Sequence, residues 1–103
     1  MQRGEIWWAD LPSPMGRRPV LLLSRNEAYE VRNAITVAQV TTTIRNIPVE
    51  VKLGPKDGLP KKCVANLDTI ATINKNLVTE KIAMLSNSKI KQVDDAIKFA
   101  LSL

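Results

Sequence analysis

Polar and apolar positions alternate with a period of two along most of this chain and change to a helical period only near its end. Residues 4–11 (GEIWWADL) predict a first strand, with Ile6, Trp8 and Asp10 on one face and Glu5, Trp7 and Ala9 on the other. Residues 11–16 then carry two prolines and a glycine, which continue neither strand nor helix and mark a loop. Residues 19–23 (PVLLL) are apolar without interruption, as expected of a strand in the middle of a sheet. Residues 26–32 predict a short helical turn capped by Asn26. Residues 34–40 (AITVAQV) predict a third strand with Ile35, Val37 and Ala38 inward, running into the polar triplet Thr41-Thr42-Thr43.

The second half of the chain continues in short strands. Residues 47–53 alternate strictly, with Ile47, Val49, Val51 and Leu53 inward, and Pro48 assigns them to a sheet edge. Residues 54–62 form a turn-rich connection bearing Lys56, Lys61 and Lys62. Residues 63–67 and 69–73 read as two short strands separated by Asp68, and residues 81–85 as a last extended piece. Helical spacing begins after a cap at Ser86 or Ser88, where Ile90, Val93, Ile97, Ala100 and Leu101 share a face opposite Lys89, Gln92, Asp95 and Lys98. Short strands separated by turn signals predict a mainly β fold, a small curled or barrel-like sheet with the terminal helix packed on it, as one domain over residues 1–103.

Composition narrows the chemistry. A net charge of +5 favours a polyanionic partner such as nucleic acid. No apolar run approaches membrane length and no signal peptide is evident, so a soluble protein with no membrane partner is expected. The lone Cys63 fits a reducing cytoplasm, and its position at the start of a strand suits a small core residue. The chain contains no histidine, which removes the commonest general acid–base and the commonest transition-metal ligand together. Its acidic residues are scattered, with only Asp94 and Asp95 adjacent, so neither a metal site nor a cofactor is expected. Any catalysis has to use Arg, Lys, Thr, Ser, Tyr or carboxylates.

Two polar clusters flank the predicted strands. Arg17 and Arg18 precede the second strand, and Pro19 fixes φ directly behind Arg18. Thr41, Thr42, Thr43 and Arg45 follow the third strand. If the two strands are antiparallel neighbours, Arg18 and Thr41 come to the same end of the sheet. A guanidinium and a hydroxyl would then converge on one spot, a fitting clamp for a phosphodiester oxygen. All six arginines lie within residues 1–45 and all nine lysines from residue 52 onward, a split that fits either a site built by the N-terminal half, since arginine's fork suits phosphate and base-edge contacts, or plain compositional drift. Burial is expected for both Trp7 and Trp8, and their alternation leaves one of them open to a dimer contact or to stacking on a base.

The ordered series Gly4-Glu5-Ile6-Trp7-Trp8-Ala9-Asp10-Leu11, Arg18-Pro19-Val20 leading to Ser24, Val40-Thr41-Thr42-Thr43, Leu67-Asp68-Thr69-Ile70 and the amphipathic C-terminal helix resembles the MazF/PemK (Kid) family of toxins. The resemblance implies an SH3-like barrel of the CcdB/Kid/MazF type that forms a homodimer and is neutralised by a cognate MazE-like antitoxin. It implies metal-independent cleavage of single-stranded RNA at short sequences. The RNA's own 2′-hydroxyl would attack, leaving 2′,3′-cyclic phosphate and 5′-hydroxyl ends and arresting translation and growth. Carried onto this sequence, the catalytic pair is Arg18 and Thr41, with Arg17, Thr42, Thr43, Arg45, Lys56 and Lys61 available to the RNA. One departure stands out. Many family members have a longer first loop bearing a glutamate or similar polar residues near the site, whereas residues 12–17 here are short and contain no acid. Either another group serves as base or Arg18 works with less help. Two other functions share the fold: a CcdB-like toxin that binds DNA gyrase without cutting anything, and an SH3-like module that binds nucleic acid passively.

Overall fold

The computed structural model describes residues 1–103, and its sheet is built outward from the apolar segment after Pro19. That segment is β2 (Arg17–Leu22), hydrogen-bonded between β1 (Glu5–Asp10) and β3 (Ala34–Thr41). Val20, Leu21 and Leu22 are completely buried because side chains cover both faces of the sheet at its centre. Beyond β3 lie β5 (Cys63–Asn74) and then β4 (Glu50–Leu53), which forms one edge. Beyond β1 lies β6 (Val78–Met84), the other edge. All neighbours pair antiparallel.

Strand alternation divides the core in two. Ile6, Leu21, Ala38 and Val40 meet Val51, Leu53, Leu67 and Leu85 on one face, where the C-terminal helix α2 (Asn87–Leu101) adds Val93 and Ala96. Ala9, Val20, Leu22, Ile35 and Val37 point to the other, where Trp7 and Tyr29 of the short helix α1 (Ala28–Val31) cover them. Each fully buried Leu, Ile or Val contributes roughly 1.5–3 kcal/mol, so the larger cluster holds α2 firmly on β4 and β5. Ser86 caps α2 by accepting the Lys89 N–H at 3.2 Å. Arg3 ties the chain start to the same helix through an ion pair with Asp94 at 2.6 Å.

Because β4 and β6 do not pair, the sheet is mainly antiparallel β with a C-terminal helix but does not close into a barrel. It curls enough for the loop after β4 to reach β6. A Cβ on Gly58, whose φ is +90°, would sit 2.9 Å from the Ala83 Cβ. No helix is long and apolar enough to cross a membrane.

Several elements differ from the sequence reading for local reasons. The two short strands predicted around Asp68 are one strand, β5, whose register against β3 shifts between Ala38 and Gln39. The polar residue that reads as a break is a bulge, stabilised by the Asp68 N–H donating to Asn66 Oδ1 at 2.9 Å. Asn26 does not cap α1; its Oδ1 accepts the Arg3 N–H at 2.7 Å instead, and Glu27 occupies the cap without a side-chain bond. The edge strand keeps Val49, Val51 and Leu53 buried but loses Ile47, which is 38% exposed in the preceding turn. On α2 the inward stripe takes Ala96, keeps Ile97 and Ala100 partly buried against the core and leaves Leu101 exposed.

Candidate active site

The register of β2 on β3 sets Val20 opposite Gln39, Leu21 opposite Ala38 and Leu22 opposite Val37. Continued by two residues, it brings Arg18 across from Thr41 at the same end of the sheet. A cleft of about 440 Å³ opens there. Trp8, Arg17, Arg18 and Pro19 form one side, and Val40, Thr41 and Thr42 another. Met15 and the segment Leu59, Pro60, Lys61 and Cys63 complete it.

The two arginines have different electrostatic positions. Arg17 is committed to its neighbours: its Nη atoms reach Asp10 Oδ1 at 3.1 Å, Glu80 Oε2 at 3.4 Å and Thr79 Oγ1 at 3.1 Å, and its guanidinium lies 5.0 Å from the centre of the Trp8 ring. These exposed contacts orient Arg17 and offset part of its charge before any ligand arrives. Arg18 has no carboxylate partner. Its Nε donates to the Met15 carbonyl at 3.0 Å, which aims the side chain and leaves its terminal N–H groups unpaired.

That aim is built into the short first loop. Leu11 N–H bonds to Gly16 O at 3.0 Å, Met15 N–H to Pro12 O at 3.1 Å, and Gln39 Nε2 reaches Met15 Sδ at 2.8 Å, so the carbonyl that orients Arg18 is itself fixed. Thr41 Oγ1 accepts the Thr43 N–H at 3.2 Å. An acceptor lone pair is thereby used and the hydroxyl proton remains free for a ligand oxygen. A bidentate cation and a hydroxyl donor are the groups that grip a tetrahedral oxyanion.

Of the other residues singled out in the sequence, Arg17, Thr42 and Lys61 line this cleft, and Thr43, Arg45 and Lys56 do not. Arg45 and Asn46 donate their backbone N–H groups to the Glu50 carboxylate at 3.0 and 2.9 Å, which orders the turn after β3. Lys56 belongs to a neighbouring cleft. Sequence reasoning missed Met15, Leu59 and Pro60; nothing in their types marks them, because the fold alone brings those loops to the strand ends. Neither tryptophan is fully buried as the sequence led us to expect: Trp8 is half-buried in the cleft wall, and Trp7 is half-buried against the second core and donates its indole N–H to Glu5 Oε1 at 3.0 Å. Cys63 is buried, and burial pushes its thiol up, with the Asp57 charge adding to the effect, so it makes a poor nucleophile. No carboxylate lines the cleft, and no three His, Cys, Asp or Glu side chains converge anywhere in the molecule.

A curled antiparallel sheet with a C-terminal helix, offering an unpaired guanidinium and a hydroxyl at its strand ends, defines a small basic protein with a cleft whose donors can bind an oxyanion. Residues 2–101 match the family model described as PemK-like, MazF-like toxin of type II toxin-antitoxin system. The chain belongs to that family of toxins. It is 33% identical over 100 residues to a probable endoribonuclease MazF5 of Mycobacterium tuberculosis, covering 96% of this chain and 91% of that protein. It is 35% identical over 112 residues to the endoribonuclease MazF of Staphylococcus saprophyticus, covering 100% and 92% respectively. Among solved structures, a mycobacterial endoribonuclease in complex with its cognate antitoxin superposes with a TM-score of 0.89 at 29% identity, over 100% of this chain and 96% of that one. The Mycobacterium tuberculosis toxin MazF-mt6 matches with a TM-score of 0.89 at 31% identity, over 96% and 97%.

Proposed function

We propose that this protein is a sequence-specific, metal-independent endoribonuclease toxin that cleaves single-stranded RNA and so arrests translation and growth. The observation that carries the reading is the unpaired Arg18 guanidinium, held at the start of β2 in one cleft with the free hydroxyl proton of Thr41. In the proposed step the RNA 2′-oxygen forms a bond to phosphorus and the bond from phosphorus to the 5′-oxygen breaks. The 2′-hydroxyl proton leaves to solvent water, and the 5′-oxygen gains a proton from Arg18, which solvent then reprotonates. The products are a 2′,3′-cyclic phosphate and a 5′-hydroxyl end. Arg18 neutralises the charge that builds on the non-bridging oxygens and delivers a proton toward the departing 5′-oxygen, while Thr41 donates a hydrogen bond to one of them. A protonated guanidinium has no lone pair with which to take the 2′-hydroxyl proton, and no carboxylate lines the cleft to do so. DNA lacks the nucleophile and is not a substrate.

The same reading includes a cytoplasmic homodimer, with residues 1–103 acting as one toxin domain, and a cognate MazE-like antitoxin. The relatives' endoribonuclease names and the antitoxin-bound neighbour support it. A CcdB-like toxin acting on gyrase is not favoured, since the matching relatives are MazF proteins. Incubation of purified protein with a long RNA in EDTA, followed by mapping of 5′-hydroxyl ends, tests the proposal. Cuts at a short recurring sequence are expected, and intact RNA would overturn it.

A further inference from the structure

A second cleft of about 470 Å³ adjoins the first, between the turn after β3, strand β4, the loop of residues 54–62 and the start of α2. Lys52, Lys56, Lys62 and Lys89 line it, against a single carboxylate, Asp57. Asp57 Oδ2 accepts the Gly54 N–H at 3.0 Å and is committed to closing its own turn. None of the four lysines forms an ion pair. Lys89 gives one of its three N–H bonds to the Lys52 carbonyl at 2.6 Å and keeps the others.

The loop that displays Lys56 and Lys62 is tied to the rest of the fold. Leu59 is buried in the larger core, its N–H bonds to Gly54 O at 3.2 Å, and Gly58 is wedged against Ala83. The two clefts meet at Cys63, which lines both, and the consecutive residues Lys61 and Lys62 fall one in each. An anionic chain leaving the Arg18 cleft past the exposed Lys61 therefore reaches Lys62 and a field of unpaired ammonium groups.

We propose that the lysine cleft is a second, sequence-blind site that grips the phosphates of the RNA strand flanking the scissile bond. It rests on the endoribonuclease reading above. Ammonium groups act as point charges without the fork that fixes register, so this cleft adds affinity for any flanking sequence while the Arg18 cleft positions the bond to be cut. Processing should accordingly favour long RNAs over fragments that only span the first cleft.

The test uses two RNAs built on the cleavage core mapped above, each with a 2′-deoxy nucleotide at the scissile position, one confined to the core and one extended on both sides. Their affinities are measured by fluorescence anisotropy across a salt series, for the wild type and for Lys52→Gln/Lys56→Gln/Lys62→Gln. All three lysines are exposed and unpaired, so an unchanged Tm is expected of the variant. The extended RNA should bind the wild type more tightly, and the slope of log K against log salt should fall by about two in the variant, at about 0.7 for each lysine on a single strand. The short RNA should be unaffected. Equal slopes for both proteins on the extended RNA, or an equal loss on the short one, would overturn the proposal. Cleavage of all-ribose RNA is scored separately: normal cutting with unchanged slopes overturns only the lysine cleft, whereas no cutting by the wild type overturns the endoribonuclease reading and the cleft with it.

Discussion

Arg18 differs from Arg17 in what its neighbours leave free, although the two are adjacent in sequence and of one type. Arg17 is bound to Asp10, Glu80 and Trp8, while Arg18 touches only a backbone carbonyl. Arg18→Ala should therefore fold normally and lose roughly 3–4 kcal/mol of transition-state stabilisation, at least a hundredfold in RNA cleavage rate. Arg18→Lys should recover little of that, because an ammonium cannot span two phosphate oxygens. Near-normal rates in either variant would remove Arg18 from the chemistry. Thr41→Val should lower kcat more than it raises KM, since the hydroxyl is called on as charge develops; a loss confined to KM would make Thr41 a binding residue only. Tyr29 makes a different kind of test. Burial pushes its hydroxyl up to about 12 from 10.0, and its proton donates to Ser24 O at 3.0 Å. The neutral form is the folded form, so this contribution is complete below pH 10 and is lost as pH rises toward 12. Tyr29→Phe should show less alkaline loss of Tm than the wild type over that window.

At the scale of elements, β1 is fastened to the edge strand β6 by a buried charge. Glu5 is 6% exposed, and its carboxylate meets Lys81 Nζ at 2.9 Å, the Trp7 indole and the Gln2 N–H. Burial alone would raise its pKa; the hydrogen bonds outweigh burial and hold it below the ordinary 4.5. A depressed carboxylate adds stability above its unfolded pKa and loses it as pH falls through the folded value. Glu5→Gln should cost about 1–3 kcal/mol near pH 7, and the gap in denaturation midpoint should close below pH 4.5. A gap independent of pH would assign the effect to packing. Gly58 holds the opposite edge in place. Gly58→Ala meets both the left-handed φ and the Ala83 Cβ and should cost about 1–2 kcal/mol or more. Adding Ala83→Gly should recover only the steric part, and full recovery would show that φ carries no penalty. These elements were legible in different degrees. The uninterrupted apolar run of β2 and the alternation of β3 identify their strands directly, while Asp68 misled because a bulge and a break leave the same polar interruption in a sequence.

At the scale of the whole molecule, the unpaired Arg18 and Lys61 line one cleft, and Lys52, Lys56, Lys62 and Lys89 line the cleft that shares Cys63 with it. A basic toxin with such a groove is suited to silencing by an acidic segment with interspersed apolar anchors, folding over Arg17, Arg18 and the loop bearing Lys56 and Lys61. The association rate of an antitoxin of that kind should fall steeply with salt, while its dissociation rate, set by buried anchors, changes less. The segment should also compete with the 2′-deoxy RNA, since both need the Arg18 guanidinium. A ternary complex with undiminished RNA affinity would rule out occlusion of the groove.

Residue type and order by themselves determined the strand periods, the capped terminal helix, the lack of histidine and the placement of Arg18 and Thr41 at the two strand ends, because each of these is local along the chain. Antiparallel neighbours joined by a short connection then require those ends to coincide. Tertiary structure alone decided that Arg17 is partly offset and Arg18 is not, since Glu80 and Thr79 come from β6, more than sixty residues away. It decided that Lys61 and Lys62 face different clefts and that Trp8 lines the site while Trp7 joins the core. It also decided that the sheet stays open, its edges meeting through Gly58 and Ala83 rather than through hydrogen bonds. The physical reason is common to all four: which partner satisfies a charge, covers a ring or closes a sheet depends on groups that only the curl of the sheet brings within reach.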